Sequence, residues 1–168
     1  MEQKETHKYL NGFAKYVIQQ SKSNLTKGKK NSSKELYNSL GTEINVSANS
    51  FSLSFEMEDY GKFQDKGVSG TEKKYNTSYK YTNKMPPPSA FSKWVIKKGL
   101  KGTRDKQGRF VSRKSLQFAI AKSVFKNGIK PSLFFTKPFE KAFEKLPDEL
   151  VEAYGLDVEN FMKFTLKK

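Results

Sequence analysis

Apolar and polar residues alternate most regularly between residues 43 and 57. The apolar positions there, on either side of the connection "SANS", are Ile44, Val46, Phe51, Leu53, Phe55 and Met57. A period of two places successive side chains on opposite faces of a strand. The pattern therefore predicts a β-hairpin over residues 43–57, with one apolar face and one polar face.

Other apolar residues recur at helical spacing. Thr6 is placed to cap a first helix, and "SKELYNSLG" predicts a short helix that stops at Gly41. Pro138 and Pro147 suit the first turns of the last helices. These elements predict an α+β fold, in which a small antiparallel sheet is packed by N-terminal and C-terminal helices.

Two expectations concern single helices. The helix "RKSLQFAIAKSVFKNG" carries apolar residues around more than half of its circumference, which predicts burial on two sides, and Gly128 is expected to end it. Gly155 separates the apolar stripe before it from a final stripe that begins at Val158.

The length of 168 residues predicts a single domain over residues 1–168. Residues 69–130 form a basic segment with a tyrosine-rich loop and two predicted helices. The loop, residues 69–88, contains Tyr75, Tyr79 and Tyr81 and ends in three prolines. Such a segment suits an assembly loop that orders against a partner, although an ordinary surface loop has the same composition.

The net charge of +15, from 32 basic and 17 acidic residues, favours a polyanionic partner: nucleic acid, an acidic protein or a membrane surface. Only three basic residues are arginines, although the guanidinium fork suits phosphate recognition best. No apolar run approaches 18 residues, and the charged N-terminus does not resemble a signal peptide. A soluble protein in the cytosol of its cell, without a membrane partner, is expected.

Residues for catalysis are scarce. The chain has no Cys, and its single His is His7. Glu58, Asp59 and Asp65 are carboxylates that could bind Mg²⁺ as in a nuclease, but the six-residue separation of Asp59 and Asp65 would direct them to different faces of a helix. No catalytic residue, metal site or cofactor is predicted. Tyr60, Phe63 and Gly67 instead predict a structural corner, in which the two rings hold one helical turn on the hairpin and glycine closes that turn.

The corner resembles a motif of the tail-completion or head–tail joining proteins of long-tailed bacteriophages. The matching positions after the hairpin are Tyr60, Gly61, Phe63, Asp65 and Gly67. A second mark of that family, an aromatic run with a proline that opens the last helix, is similar to Phe134, Phe135, Pro138 and Phe139. The resembling stretches are residues 33–68 and 131–166. Between them the family usually has a short loop, so the resemblance implies that residues 69–130 are a basic helical insertion.

The resemblance implies a non-enzymatic virion protein that forms a cyclic ring in the neck or upper tail, around the DNA channel. Its partners would be copies of itself, other phage neck, portal or tail proteins, and genomic DNA in the channel. Its locations would be the virion and, during assembly, the host cytoplasm. The alternative is a free-standing basic nucleic-acid-binding protein, and a nuclease ranks third.

Charge is distributed unevenly along the chain. A basic patch within residues 93–114 consists of Lys93, Lys97, Lys98, Lys101, Arg104, Lys106, Arg109, Arg113 and Lys114. An acidic surface near the C-terminus consists of Glu140, Glu144, Asp148, Glu149 and Glu152. The two are interpreted as solvated faces, as surfaces that pair head to tail between subunits, or, for the basic patch, as a DNA-facing surface.

Overall fold

The computed structural model describes residues 3–30, 33–47, 50–100, 102–104 and 106–166. The chain divides into two compact units. Residues 1–59 and 134–168 form the first unit, and residues 60–133 form the second. The predicted insertion, residues 69–130, therefore lies inside the second unit. The mixed helical and strand content confirms the α+β prediction.

The elements follow one another along the chain as helices and short antiparallel strands. In order they are α1 (Lys4–Lys27), α2 (Glu35–Ser39), β1 (Gly41–Ser47), β2 (Ser50–Glu56), α3 (Gly61–Lys66), a 3₁₀ helix (Pro88–Phe91), α4 (Ser92–Lys97), β3 (Thr103–Arg104), β4 (Phe110–Val111), α5 (Arg113–Asn127), α6 (Thr136–Phe143) and α7 (Leu146–Leu166).

The predicted hairpin is the centre of the first unit. β1 and β2 pair antiparallel, with Ile44 opposite Leu53. Of the predicted connection, residues 47–50, Ser47 and Ser50 belong to the strands, and residues 48 and 49 lie outside the described residues. The Phe55 ring contacts Phe13 of α1 at 6.3 Å and Phe135, just before α6, at 5.2 Å between centroids. N-terminal and C-terminal helices thus cover the apolar face, as the alternating pattern predicts.

A second cluster closes the other part of this unit. Leu25 of α1, Leu36 of α2, Leu40 and Phe134 are all buried and pack together. α1 extends to Lys27 because Leu25 continues its apolar stripe into this cluster, and α6 and α7 both pack on α1.

The N-terminus of α1 is capped by a residue distant in sequence. α1 begins at Lys4, so the prediction that Thr6 caps it is wrong. The carboxylate of Asp157, in α7, accepts hydrogen bonds from the backbone N–H of Glu5 (3.0 Å) and Thr6 (2.9 Å) and from the Thr6 hydroxyl (2.8 Å). These contacts satisfy donors that the first turn of any helix leaves unpaired.

The second unit is closed where its two ends meet. Val68 and Ile129 exchange backbone hydrogen bonds of 2.9 and 2.8 Å, and the carbonyl of Asp65 accepts from the N–H of Ser132 and of Leu133, each at 3.0 Å. We call this pairing of residues 64–73 with residues 125–133 the clasp. It joins the beginning of the second unit to its end.

The helices of the second unit are less buried than expected. Val95 of α4 and Ala121 of α5 are its fully buried helical side chains, and the 3₁₀ helix packs against both α4 and α5. Phe118 is 53% exposed, so the prediction that α5 is buried on two sides is wrong. Gly128 ends α5 as predicted, with a φ of 71°.

Candidate interaction surfaces

The net positive charge of the chain lies entirely in the second unit. The second unit contains 18 Lys and Arg against three Asp and Glu, a net charge of +15, whereas the first contains 14 of each. An isolated charge of this size in a small unit repels itself, so a polyanion or an acidic protein surface would stabilise it.

The described members of the basic patch are all exposed and lie on α4 or just after it, on β3 and the turn that leads to β4, and on the first turn of α5. They are Lys93, Lys97, Lys98, Arg104, Lys106, Arg109, Arg113 and Lys114; Lys101 lies outside the described residues. Val95 anchors α4, and Lys93 and Lys97, four residues apart, lie on the same face of that helix.

Arginines and lysines of the patch differ in their local contacts. Arg104 donates to the carbonyl of Gly108 at 2.9 Å, and Arg109 donates to the side chain of Gln107. Within the described part of the chain, Lys93 and Lys97 form no ion pair or hydrogen bond through their side chains. Both lysine side chains are exposed to solvent.

All five members of the acidic surface are exposed. Glu140 lies in α6, Glu144 follows it, and Asp148, Glu149 and Glu152 lie in the first turns of α7. Glu149 accepts a hydrogen bond from the Tyr9 hydroxyl. Burial, together with this bond and the nearby negative charge, raises the pKa of Tyr9 to about 12. Glu149 is therefore hydrogen-bonded within its own unit, which a count of charges along the sequence does not reveal.

Each charged surface carries exposed apolar side chains. Ile96 and Trp94 on α4 are 61% and 41% exposed, and Val151 on α7 is 72% exposed with Tyr154 one turn away. Exposed apolar groups inside a charged rim are typical of protein–protein contacts.

The tyrosine loop is packed within the second unit. Tyr75, Tyr79 and Tyr81 are half-buried, and the Tyr79 ring meets Phe63 edge-on at 4.7 Å. Tyr81 packs on Phe125 at 6.2 Å, and burial raises the pKa of its phenol. A role of this loop in assembly stays a prediction.

The residues of the predicted corner act differently from the expectation. Gly67 has a φ of 76°, and a Cβ there would lie 2.6 Å from the carbonyl oxygen of Ile129, so the position requires glycine. Phe63 contacts Tyr79 of the second unit. Tyr60 is 43% exposed, and the prediction that its ring is a core group is wrong.

Tyr60→Ala is consequently expected to lower the free energy of unfolding by less than about 1 kcal/mol, because an exposed ring leaves no core cavity when removed. Urea denaturation followed by fluorescence of Trp94, which lies in the second unit and is the only Trp of the chain, measures this. A loss of several kcal/mol would show that the ring is a packing group after all.

The three carboxylates considered for a metal site differ in burial. Asp65 is buried in the second unit, whereas Glu58 and Asp59 are exposed in the first. In the described ranges, no three His, Asp or Glu side chains lie close enough together to hold a metal ion. Among the described helices, none combines the length and apolar character needed to cross a bilayer.

Asp157 is the polar residue of consequence that sequence reasoning missed. It is 2% exposed, in the apolar stripe that contains Leu150 and Ala153. Burial alone would raise its pKa, but the hydrogen bonds from Thr6 and Glu5 outweigh burial, and the pKa lies below its usual range. The sequence did contain a signal for this role, because Asp157 is an acidic residue at a position of the apolar stripe of α7.

Comparison with known protein families, curated proteins and solved structures yields no match to this chain.

Proposed function

We propose that this chain is a structural virion protein of a tailed bacteriophage, one that forms a cyclic ring in the neck or upper tail around the DNA channel. One observation carries the proposal: the two stretches that resemble the head–tail joining family share a core. Leu36 and Leu40, from the first stretch, pack with Phe134 from the second. Two stretches that each resemble the family only weakly support the proposal better when residues from both pack in one cluster.

The clasp supports the same proposal. The family usually has a short loop between the two stretches, and here residues 68 and 129 are hydrogen-bonded across the position of that loop. A large insertion with adjacent ends leaves the path of the surrounding chain nearly unchanged. The extra residues are therefore compatible with the architecture that the resemblance implies.

Ring formation needs two different surfaces that fit each other on successive copies. The basic patch and the acidic surface meet this need. Lys93 and Lys97 are four residues apart on α4, and Asp148 and Glu152 are four apart on α7, so both pairs lie on single helix faces. Each pair lies beside exposed apolar groups that would be buried in the contact.

A charge exchange tests the contact. Reversal of Lys93, Lys97 and Lys98 to Glu is expected to reduce incorporation into phage particles at least about tenfold, and reversal of Glu144, Asp148 and Glu152 to Lys in the same chain is expected to restore part of it. Glu149 is left unchanged because it binds Tyr9. Incorporation is measured by complementation and quantification of the protein in purified particles.

The matched control reverses three exposed lysines of the first unit, Lys15, Lys27 and Lys137, which changes the net charge equally. This control is expected to incorporate normally. Absence of rescue, or an equal defect in the control, would contradict the pairing of the two surfaces.

A second candidate function, a basic nucleic-acid-binding protein, is favoured by the concentration of +15 in one unit. It predicts that the isolated protein binds duplex DNA with an affinity that falls steeply with salt, by about 0.9 in log K per log salt for each phosphate contacted. A flat salt dependence would remove this candidate.

A further inference from the structure

The second unit contains an aromatic groove of about 620 Å³. Its walls include Tyr60, Phe63, Gln64, Tyr79, Lys80 and Tyr81, all of them in the second unit. The volume lies within the range of small-ligand sites and accommodates a nucleotide. The groove lies in the second unit, which also carries the whole net charge of the chain.

The aromatic walls are held at fixed positions. Phe63 meets Tyr79 edge-on, and Tyr81 packs on Phe125. The backbone of residues 79–81 is also fixed, since Ser69 donates to the carbonyl of Tyr79 and accepts from the N–H of Tyr81. Tyr60, the exposed member, presents ring surface to solvent. Rings that are already ordered lose little entropy when a flat ligand stacks on them.

The charge beside the groove is positive. Lys80 lines it, and the Lys62 ammonium lies 5.4 Å from the centre of the Phe63 ring. Both lysines are exposed, and the groove has no acidic residue in its lining. A groove with aromatic walls and lysines at its rim is the arrangement that single-stranded nucleic acids bind, because bases stack on the rings and phosphates meet the ammonium groups.

One polar atom of the lining has no hydrogen-bond partner among the described residues. The side-chain Nε2 of Gln64 is buried and lacks a hydrogen-bond partner in the described part of the chain. An unpaired buried donor is energetically unfavourable. Rotation of this amide toward the groove would pair it with a base carbonyl or ring nitrogen, both of which are acceptors.

We propose that this groove binds an unpaired base of a single-stranded nucleic acid, with the base stacked against Tyr60 and Tyr81 and the adjoining phosphates on Lys62 and Lys80. The site is distinct from the basic patch and does not depend on ring formation. A docked protein segment is the competing occupant, and the net charge of the unit favours the polyanion.

The test is the binding of fluorescein-labelled oligo(dT), measured by anisotropy. Tyr60→Ala is expected to weaken binding about 5- to 150-fold, the range for one base–aromatic stack, and Tyr60→Phe is expected to retain it. Tyr16→Ala, at an exposed tyrosine of the first unit, is the matched control and is expected to bind normally. Trp94 fluorescence verifies that each variant is folded.

Two further measurements separate the possible outcomes. Lys62→Gln and Lys80→Gln are each expected to reduce the salt slope of oligo(dT) binding by about 0.7, and Tyr60→Ala should leave duplex binding unchanged. Unchanged oligo(dT) binding in Tyr60→Ala, or equal losses for oligo(dT) and duplex, would overturn the proposal. Normal oligo(dT) binding together with loss of particle incorporation would identify the groove as a protein contact.

Discussion

Gly128→Ala is expected to destabilise the second unit by about 3–5 kcal/mol. Gly128 has φ 71° and ψ −165°, a conformation that is open to glycine almost alone. A Cβ at this position would lie 2.1 Å from the carbonyl oxygen of Val68, in the clasp. Backbone strain of about 1–3 kcal/mol and steric overlap of about 1–3 kcal/mol both contribute, because neither strand of the clasp can move without breaking its hydrogen bonds.

Urea denaturation followed by Trp94 fluorescence measures the effect. Gly99→Ala is the matched control, since Gly99 has a φ of 65° but a Cβ there would meet no atom within 4 Å. The control is expected to lose only about 1–2 kcal/mol from its positive φ. Equal losses in the two variants would mean that the clasp is not closely packed at Gly128.

Asp157→Ala is expected to lower the stability of the first unit by about 2–4 kcal/mol. The change removes the acceptor for the two backbone N–H groups of Glu5 and Thr6 and for the Thr6 hydroxyl, in a site closed to water. Urea denaturation followed by circular dichroism at 222 nm measures it. Asp59→Asn, at an exposed carboxylate of the same unit, is the control and is expected to have little effect.

The pH dependence of stability is expected to reveal the same carboxylate. The pKa of Asp157 is lowered in the folded protein, whereas in the unfolded chain it is about 3.9. The stabilisation is therefore complete above the unfolded pKa and is lost as the pH falls through the folded pKa. Asp157→Asn should lack this acid-dependent loss. A mutant profile that runs parallel to the unmutated one would contradict the assignment.

The hairpin was predictable because its signal is local. Alternation along β1 and β2 places Phe55 on the face that meets Phe13 and Phe135, and the strand period alone determines that face. The charged members of the two surfaces were predictable for a similar reason, since Lys93 or Asp148 is exposed wherever a helix presents its polar side.

Features that depend on distant contacts were not predictable. Asp157 reads as an interruption of an apolar stripe until α7 lies against the start of α1. Gly155 was expected to separate two stripes, yet α7 runs through it, because packing on α1 outweighs the low helix propensity of one glycine. The exposure of Tyr60 and the zero net charge of the first unit likewise depend on which residues each of the two compact units contains.

The clasp also constrains the order of folding. The first unit is assembled from residues 1–59 and 134–168, so the chain must close a loop of roughly 70 residues before those segments can meet. Once Val68 and Ile129 have paired, only short flexible segments remain to be closed, and the entropic penalty falls by about 1–1.5 kcal/mol. The second unit would then fold first and bring together the two segments that form the first unit. Gly128→Ala would therefore slow the folding of the first unit, although Gly128 belongs to the second.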